Sequence, residues 1–248
     1  SGEVADLQFC NAFNDIPLMM EGKAIQETGP LLEKYGKNIL AVTPKLAWES
    51  TIYDGKQYAV CHNVYSLNIW LVAYRQDWLA KLGLPVPQTL EECAEAMRAF
   101  TKKDPDGNGK ADTWGRQLYT TVRFDDDFFH AFGVATGHHL NGFWRKRKDK
   151  IELDWVQPQM KDALGWMRAR WQEGVFHPES ITVPLGQRLK NWDAGVTGYA
   201  YTSYKEMDNS LRAISGVAPN AKIVAAAPPV GPEGQGITGE GWPWCYVI

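Results

Sequence analysis

The chain has 248 residues, 44% of them apolar and 22% charged, with a formal net charge of -3. That length can bury one large core or two modest ones. The charge balance leaves no electrostatic footprint for nucleic acid or an anionic membrane, and no apolar run reaches the roughly 18 residues that a membrane helix needs.

Eleven Trp, ten Tyr and nine Phe are enough to build a core and also to line a cleft that stacks flat ligand faces. The four cysteines, Cys10, Cys61, Cys93 and Cys245, show no metal-type spacing.

Along the chain, "SGEVADLQF" reads as a strand entry followed by the polar segment "NAFND". Residues 56–75, rich in β-branched and aromatic side chains, read as two strands. In "LNIWLVAYR", Leu71 and Ala73 share one face while Val72 and Tyr74 share the other. "RQDWLAKLGL" is a short helix stopped by Gly83. Thr89 with Glu92 forms a capping box ahead of a helix whose Leu90, Cys93, Met97 and Phe100 fall at helical spacing.

That helix runs into "DPDGNGKADTWG", where side-chain oxygens recur at Asp104, Asp106, Asn108 and Asp112 around a turn at Gly109. The pattern is that of an EF-hand calcium loop, with a plain polar turn as the alternative. The following "TWGRQLYTTV" is β-like, so one flanking helix is present, and the twelfth position is Gly115 rather than a bidentate glutamate. A site so built is weak and suits a compartment rich in calcium.

Asp125, Asp126 and Asp127 read as a helix N-terminus before "FFHAFG", and His138-His139 as a loop. Arg145 to Lys148 read as a solvated turn. In "PQMKDALGWMRARWQEG", Met160, Leu164, Met167 and Trp171 form one stripe, with Gly174 just past the end. "VTGYAYTSY" is a strand, "PPVGPEGQG" a loop, and "WPWCYVI" a final strand. Strands alternating with helices predict an α/β fold.

Taken in order, these segments resemble one family. "RQDWLAKLGLPVPQTLEECAEAMRAFTKKDPDGNGKADTWG", "WQEGVFHPESIT", "WDAGVTGYAY" and "PPVGPEGQG" are similar to segments of the extracellular solute-binding proteins of ABC importers, above all the large carbohydrate-binding members. "SGEVADLQF" is similar to their SG-x-x-PD strand entry, with Ala5 in place of the usual proline.

The resemblance implies a periplasmic-binding-protein-like type II bilobed α/β fold. Residues 1–65 would belong to the first lobe and 66–205 mostly to the second, with the calcium loop at 104–113. Residues 206–248 would return toward the hinge. It also implies a structural calcium ion held by Asp104, Asp106, Asn108, Asp112 and the Lys110 carbonyl, with water or Thr113 completing the shell. Sugar contacts are expected from Asn11, Asn14, Asp15, Trp48, Tyr65, Asn68, Tyr201, Tyr204, Trp242 and Trp244, because a sugar ring joins an apolar face to hydroxyl edges.

The implied role is a non-catalytic, extracellular or periplasmic carbohydrate receptor, lipid-anchored in a full-length form, that delivers its ligand to a membrane permease. The alternatives are a polysaccharide-acting enzyme using cleft carboxylates and a calcium-braced module without ligand. The family pattern extends beyond both ends of this chain, so a central fragment is expected, with an exposed apolar strand at 245–248 that favours self-association.

Overall fold

The computed structural model describes residues 5–11, 15–43, 45–49, 51–61, 70–119, 125–136, 144–232 and 244–248. The chain forms two compact units, one of Ser1–Leu67 with Glu240–Ile248 and the other of Asn68–Gly239. The expected return segment is therefore divided: residues 206–239 belong to the larger unit and 240–248 to the smaller.

The smaller unit begins with β1 (Gln8–Asn11), α1 (Asp15–Glu21), α2 (Gly29–Tyr35), α3 (Lys37–Val42), α4 (Lys45–Glu49), β2 (Ile52–Tyr53), β3 (Lys56–Gln57) and β4 (Val60–Cys61). The larger unit carries β5 (Trp70–Arg75), α5 (Gln76–Leu82), α6 (Leu90–Lys102), β6 (Trp114–Arg116), α7 (Asp126–Ala131), β7 (Trp144–Arg147), β8 (Lys150–Leu153), α8 (Pro158–Gln172), α9 (Lys190–Asp193), β9 (Thr197–Ser203), α10 (Tyr204–Val217) and β10 (Ile223–Ala226). The chain then returns to the smaller unit as β11 (Trp244–Val247).

In the smaller unit β11 is the middle strand, antiparallel to β1 on one side and β4 on the other. Cys10, Ile16, Ala59, Cys245 and Val247 form its core. The expectation of an exposed strand at 245–248 is corrected for Cys245 and Val247, while Tyr246 is half-buried and Ile248 exposed. Cys245 and Val247 are buried because α1 and the run into β4 supply the apolar cover. Asp54 and Gly55, both at positive φ, close the β2–β3 hairpin with the backbone that a two-residue turn requires.

The larger unit is built on a sheet of order β10-β5-β9-β6, antiparallel except for the β6–β9 pair. Both faces are covered. Val72, Tyr74, Tyr199 and Tyr201 join the core under α5, α6, α7 and α8, while Ala73 and Ala200 pack with Trp192 and Ile214 of α9 and α10. This is the predicted alternation of β5, with each face finding its own helices. α6 sits close to the sheet because Gly115 and Gly198 leave room for Met97 and Phe100, where a Cβ would collide.

The Thr89–Glu92 capping box forms as predicted. Two local readings change. The basic run 145–148 is not a simple turn but the arm and turn of the β7–β8 hairpin. In α8 the buried residues are Met160, Ala163 and Met167, whereas Leu164 and Trp171 are exposed.

Candidate functional site

The acidic loop starts where α6 ends. Asp104 takes a left-handed backbone at φ 45°, and Gly107 and Gly109 both lie at 77°, so the chain folds back around its own side chains. The Asp104 carboxylate accepts from the amides of Gly107 at 3.0 Å, Asn108 at 3.1 Å and Gly109 at 3.0 Å. The Asn108 side-chain amide donates to Asp106 at 2.8 Å and to both oxygens of Asp112 at 3.1 and 3.2 Å, while its carbonyl accepts from the Lys110 amide at 2.8 Å.

One polar hydrogen donor thus occupies the point on which the Asp106 and Asp112 carboxylates converge. A second donor, the cationic Lys81 of α5, bonds to the carbonyls of Asp104 and Pro105 at 3.2 and 3.0 Å. The hydrogen bond between the two carboxyl groups holds Asp104 below the ordinary carboxylate range, while burial, followed by that same bond, raises Asp106.

Among the described residues, no group of three or more His, Cys, Asp or Glu side chains is gathered as a metal cluster. The Asp106 and Asp112 carboxylates, which converge on one donor nitrogen, are nonetheless hard oxygens of the type that calcium accepts. Thr113 is a correction to the expected shell. Its hydroxyl is buried and donates to the Phe100 carbonyl at 2.7 Å, pinning the loop exit to α6.

The expected sugar contacts are placed unevenly. Asn14, Tyr65, Asn68 and Trp242 lie outside the described residues, as do His138 and His139. Asn11 ends β1 opposite Trp244 of β11, and Tyr204 opens α10. Asp15 starts α1, and Trp48 lies in the half-buried part of α4. Tyr201 departs from expectation. It is 5% exposed inside the larger core, since its position on β9 shares a face with Tyr199.

The acidic triplet is more than a helix start. Arg116 of β6 is fully buried and forks onto Asp125 at 2.6 Å and Asp127 at 2.5 Å. Its guanidinium also lies over the rings of Phe128 at 4.4 Å and Tyr199 at 4.8 Å. The Tyr199 hydroxyl donates to Asp127. Asp126 instead accepts from the amide and hydroxyl of Thr136 at 2.8 and 2.7 Å.

Burial pushes Asp126 up to about 7, with the two Thr136 hydrogen bonds pulling back. The three carboxylates are sequestered and engaged, an arrangement that holds α7 on the sheet. Sequence patterning could not show this, because the Arg116 partner lies on another element. The larger unit also has an open depression of about 490 Å³ beside α10, bordered by Arg188, Lys190, Asp193, Glu206, Asn209 and Ser210.

No protein-family model matches the chain. In fold it is matched by solved solute-binding proteins across its whole length. An HMO-binding, ABC-transporter-associated solute-binding protein of Bifidobacterium longum infantis aligns at TM-score 0.74 with 20% identity, over 99% of this chain and 53% of that one. Alginate-binding protein AlgQ2, solved without calcium ion, aligns at 0.72 with 18% identity, over 100% and 52%. An EF-hand mutant of Streptococcus pneumoniae FusA in complex with fructo-nystose aligns at 0.68 with 21% identity, over 100% and 52%.

The chain therefore has the α/β fold of the extracellular solute-binding proteins. Three sequence relatives match parts of the chain. Lipoprotein LipO of Bacillus subtilis is 37% identical over 162 residues, 63% of this chain and 30% of the relative. The polygalacturonan/rhamnogalacturonan-binding protein YtcQ of the same organism is 27% identical over 155 residues, 62% and 30%. The fructooligosaccharide substrate-binding protein FusA of S. pneumoniae is 24% identical over 207 residues, 73% and 36%. The chain spans about half the length of the solved structures it matches, and its alignments cover about a third of the curated relatives. The relatives named for a ligand are binding proteins, and the described residues contain no helix long and apolar enough to cross a membrane.

Proposed function

We propose that this chain is part of the substrate-binding subunit of an ABC importer that captures an oligosaccharide outside the cytoplasm. It passes the sugar unaltered to a membrane permease. The observation that carries the reading is the similarity to carbohydrate-binding relatives over some two thirds of the chain, joined to a fold match over all of it. Asn11, Asn14, Asp15, Trp48, Tyr65, Asn68, Tyr204, Trp242 and Trp244 remain the proposed contacts, whereas Tyr201 is withdrawn as a core residue.

Calorimetric titration with fructan, pectin-derived and alginate oligosaccharides tests the reading. The expected result is saturable heat with one class and recovery of intact ligand. New reducing ends in the recovered sugar would instead indicate an enzyme, and heat from none of the three would overturn this choice of ligand class.

The half EF-hand is proposed to hold calcium through Asp104, Asp106, Asn108, Asp112 and the Lys110 carbonyl, with water completing the shell. The ion would supply positive charge that relieves repulsion among the carboxylates. An ion bound to the folded chain stabilises it by mass action. Calcium should therefore raise the melting temperature, EDTA should reverse the rise, and Asp106→Asn should blunt it. A melt indifferent to both additions would refute the assignment.

A further inference from the structure

The smaller unit is assembled from two stretches of chain with the whole larger unit between them in sequence. Its sheet places a cysteine on each of three adjacent strands in one row: Cys10 faces Cys245, and Cys245 faces Cys61. All four cysteines are thiols in the structure. The Cys10 and Cys245 sulfurs are 3.5 Å apart, and both residues are buried beside Ile16, Ala59 and Val247. Cys61 has other partners, donating to the Ala47 carbonyl at 3.2 Å and lying 4.0 Å from the Thr51 hydroxyl. Cys93 belongs to α6 of the larger unit, where its thiol accepts from Tyr74.

We infer that Cys10 and Cys245 are the site of a cross-strand disulfide that covalently joins the two sequence-distant parts of the smaller unit. Residues directly opposite in an antiparallel pair have Cα atoms about 4.5 or 5.5 Å apart, inside the range of about 4.4–6.8 Å that a disulfide spans. Closing the sulfurs to bonding distance requires side-chain rotation and leaves the register intact. Cys245 is the shared member of the row and can bond to one neighbour only; its sulfur contact selects Cys10.

The oxidant is a low-molecular-weight disulfide. The Cys10 thiolate attacks it, forming a mixed disulfide and releasing one small thiol. The Cys245 thiolate then attacks the Cys10 sulfur and releases the second small thiol. Two S–H bonds are lost and one S–S bond is gained, and the two electrons reduce the small disulfide to two thiols. Burial raises both thiols above the ordinary cysteine range, so the folded core keeps the thiolate scarce. The exchange therefore belongs to folding, when β1 and β11 pair before the core shuts.

The test is a peptide map of the full chain, reduced in denaturant, refolded in a buffer of reduced and oxidised glutathione, acid-quenched and alkylated. The expected product is one linked pair, Cys10 with Cys245, lighter by two hydrogens, with alkyl groups on Cys61 and Cys93. The link should survive Cys61→Ser and Cys93→Ser. Reduction should lower the melting temperature of the native chain but not that of Cys245→Ser. Should the chain not refold, the same map on native protein held at its melting midpoint in that buffer reads the same bond. Four alkylated cysteines, or a link that uses Cys61 or Cys93, would overturn the inference.

Discussion

Arg116 and its two carboxyl partners place three ionisable groups in a core without solvent. Burying a charge is tolerated only when partners replace water. Arg116→Met would leave Asp125 and Asp127 facing each other without a cation, and we expect a loss of about 3–5 kcal/mol in urea unfolding. Arg116→Lys should recover part of this at most, since an ammonium cannot fork onto two carboxylates. Equal stability of Arg116→Met and the parent would show that the cluster does not hold the core.

Asp126 behaves differently, having Thr136 rather than a cation as its hydrogen-bond donor. Its carboxyl is raised to about 7 when folded, against about 3.9 when unfolded. Its contribution to stability is therefore full below about pH 4 and is lost as pH rises through about 7. Asp126→Asn keeps an acceptor for Thr136 and never ionises. It should match the parent near about pH 4 and exceed it near about pH 8, read as urea midpoints. A difference that does not change with pH would count against this account.

At the scale of elements, local chemistry and packing each decide part of the outcome. The capping box at Thr89 is made by neighbours in sequence: its hydroxyl accepts the Glu92 amide at 3.2 Å while Glu92 accepts the Thr89 amide at 3.1 Å. Thr89→Ala should cost about 1 kcal/mol, checked by thermal or urea melting, and Thr89→Ser should restore most of it. α8 shows the other case. Its apolar residues support two stripes, through Leu164 and Trp171 or through Ala163, and 3.6-residue spacing alone does not choose between them. The covering of the sheet chooses the second. The same limit applies to Arg145–Lys148, where charge suggested a turn but cross-strand pairing with residues 150–153 made a hairpin.

At the scale of the whole molecule, the smaller unit depends on residues far from its beginning. β11 supplies the middle strand between β1 and β4, and two of its side chains are core. Deleting residues 244–248 should therefore expose the inner edges of both neighbours. In hydrogen exchange, protection should disappear from β1, α1 and β4 while β5 and β9 in the larger unit keep theirs. Retained protection at β1 would mean that β11 is dispensable.

What the sequence determined by itself was whatever depends on neighbours along the chain: the alternating faces of β5, the cap of α6, the loop of spaced oxygens, and a set of motifs specific enough to point to one family. Side-chain period and hydrogen-bond reach are local properties, so those readings needed no knowledge of the fold. The tertiary structure alone decided which rings were core, as with Tyr201, and that Arg116 would neutralise an acidic triplet on another element. It also decided that β11 would lie between two strands about 185 and 235 residues earlier in the chain. Burial and charge pairing join residues distant in sequence, and no periodicity along a chain encodes which distant partner arrives.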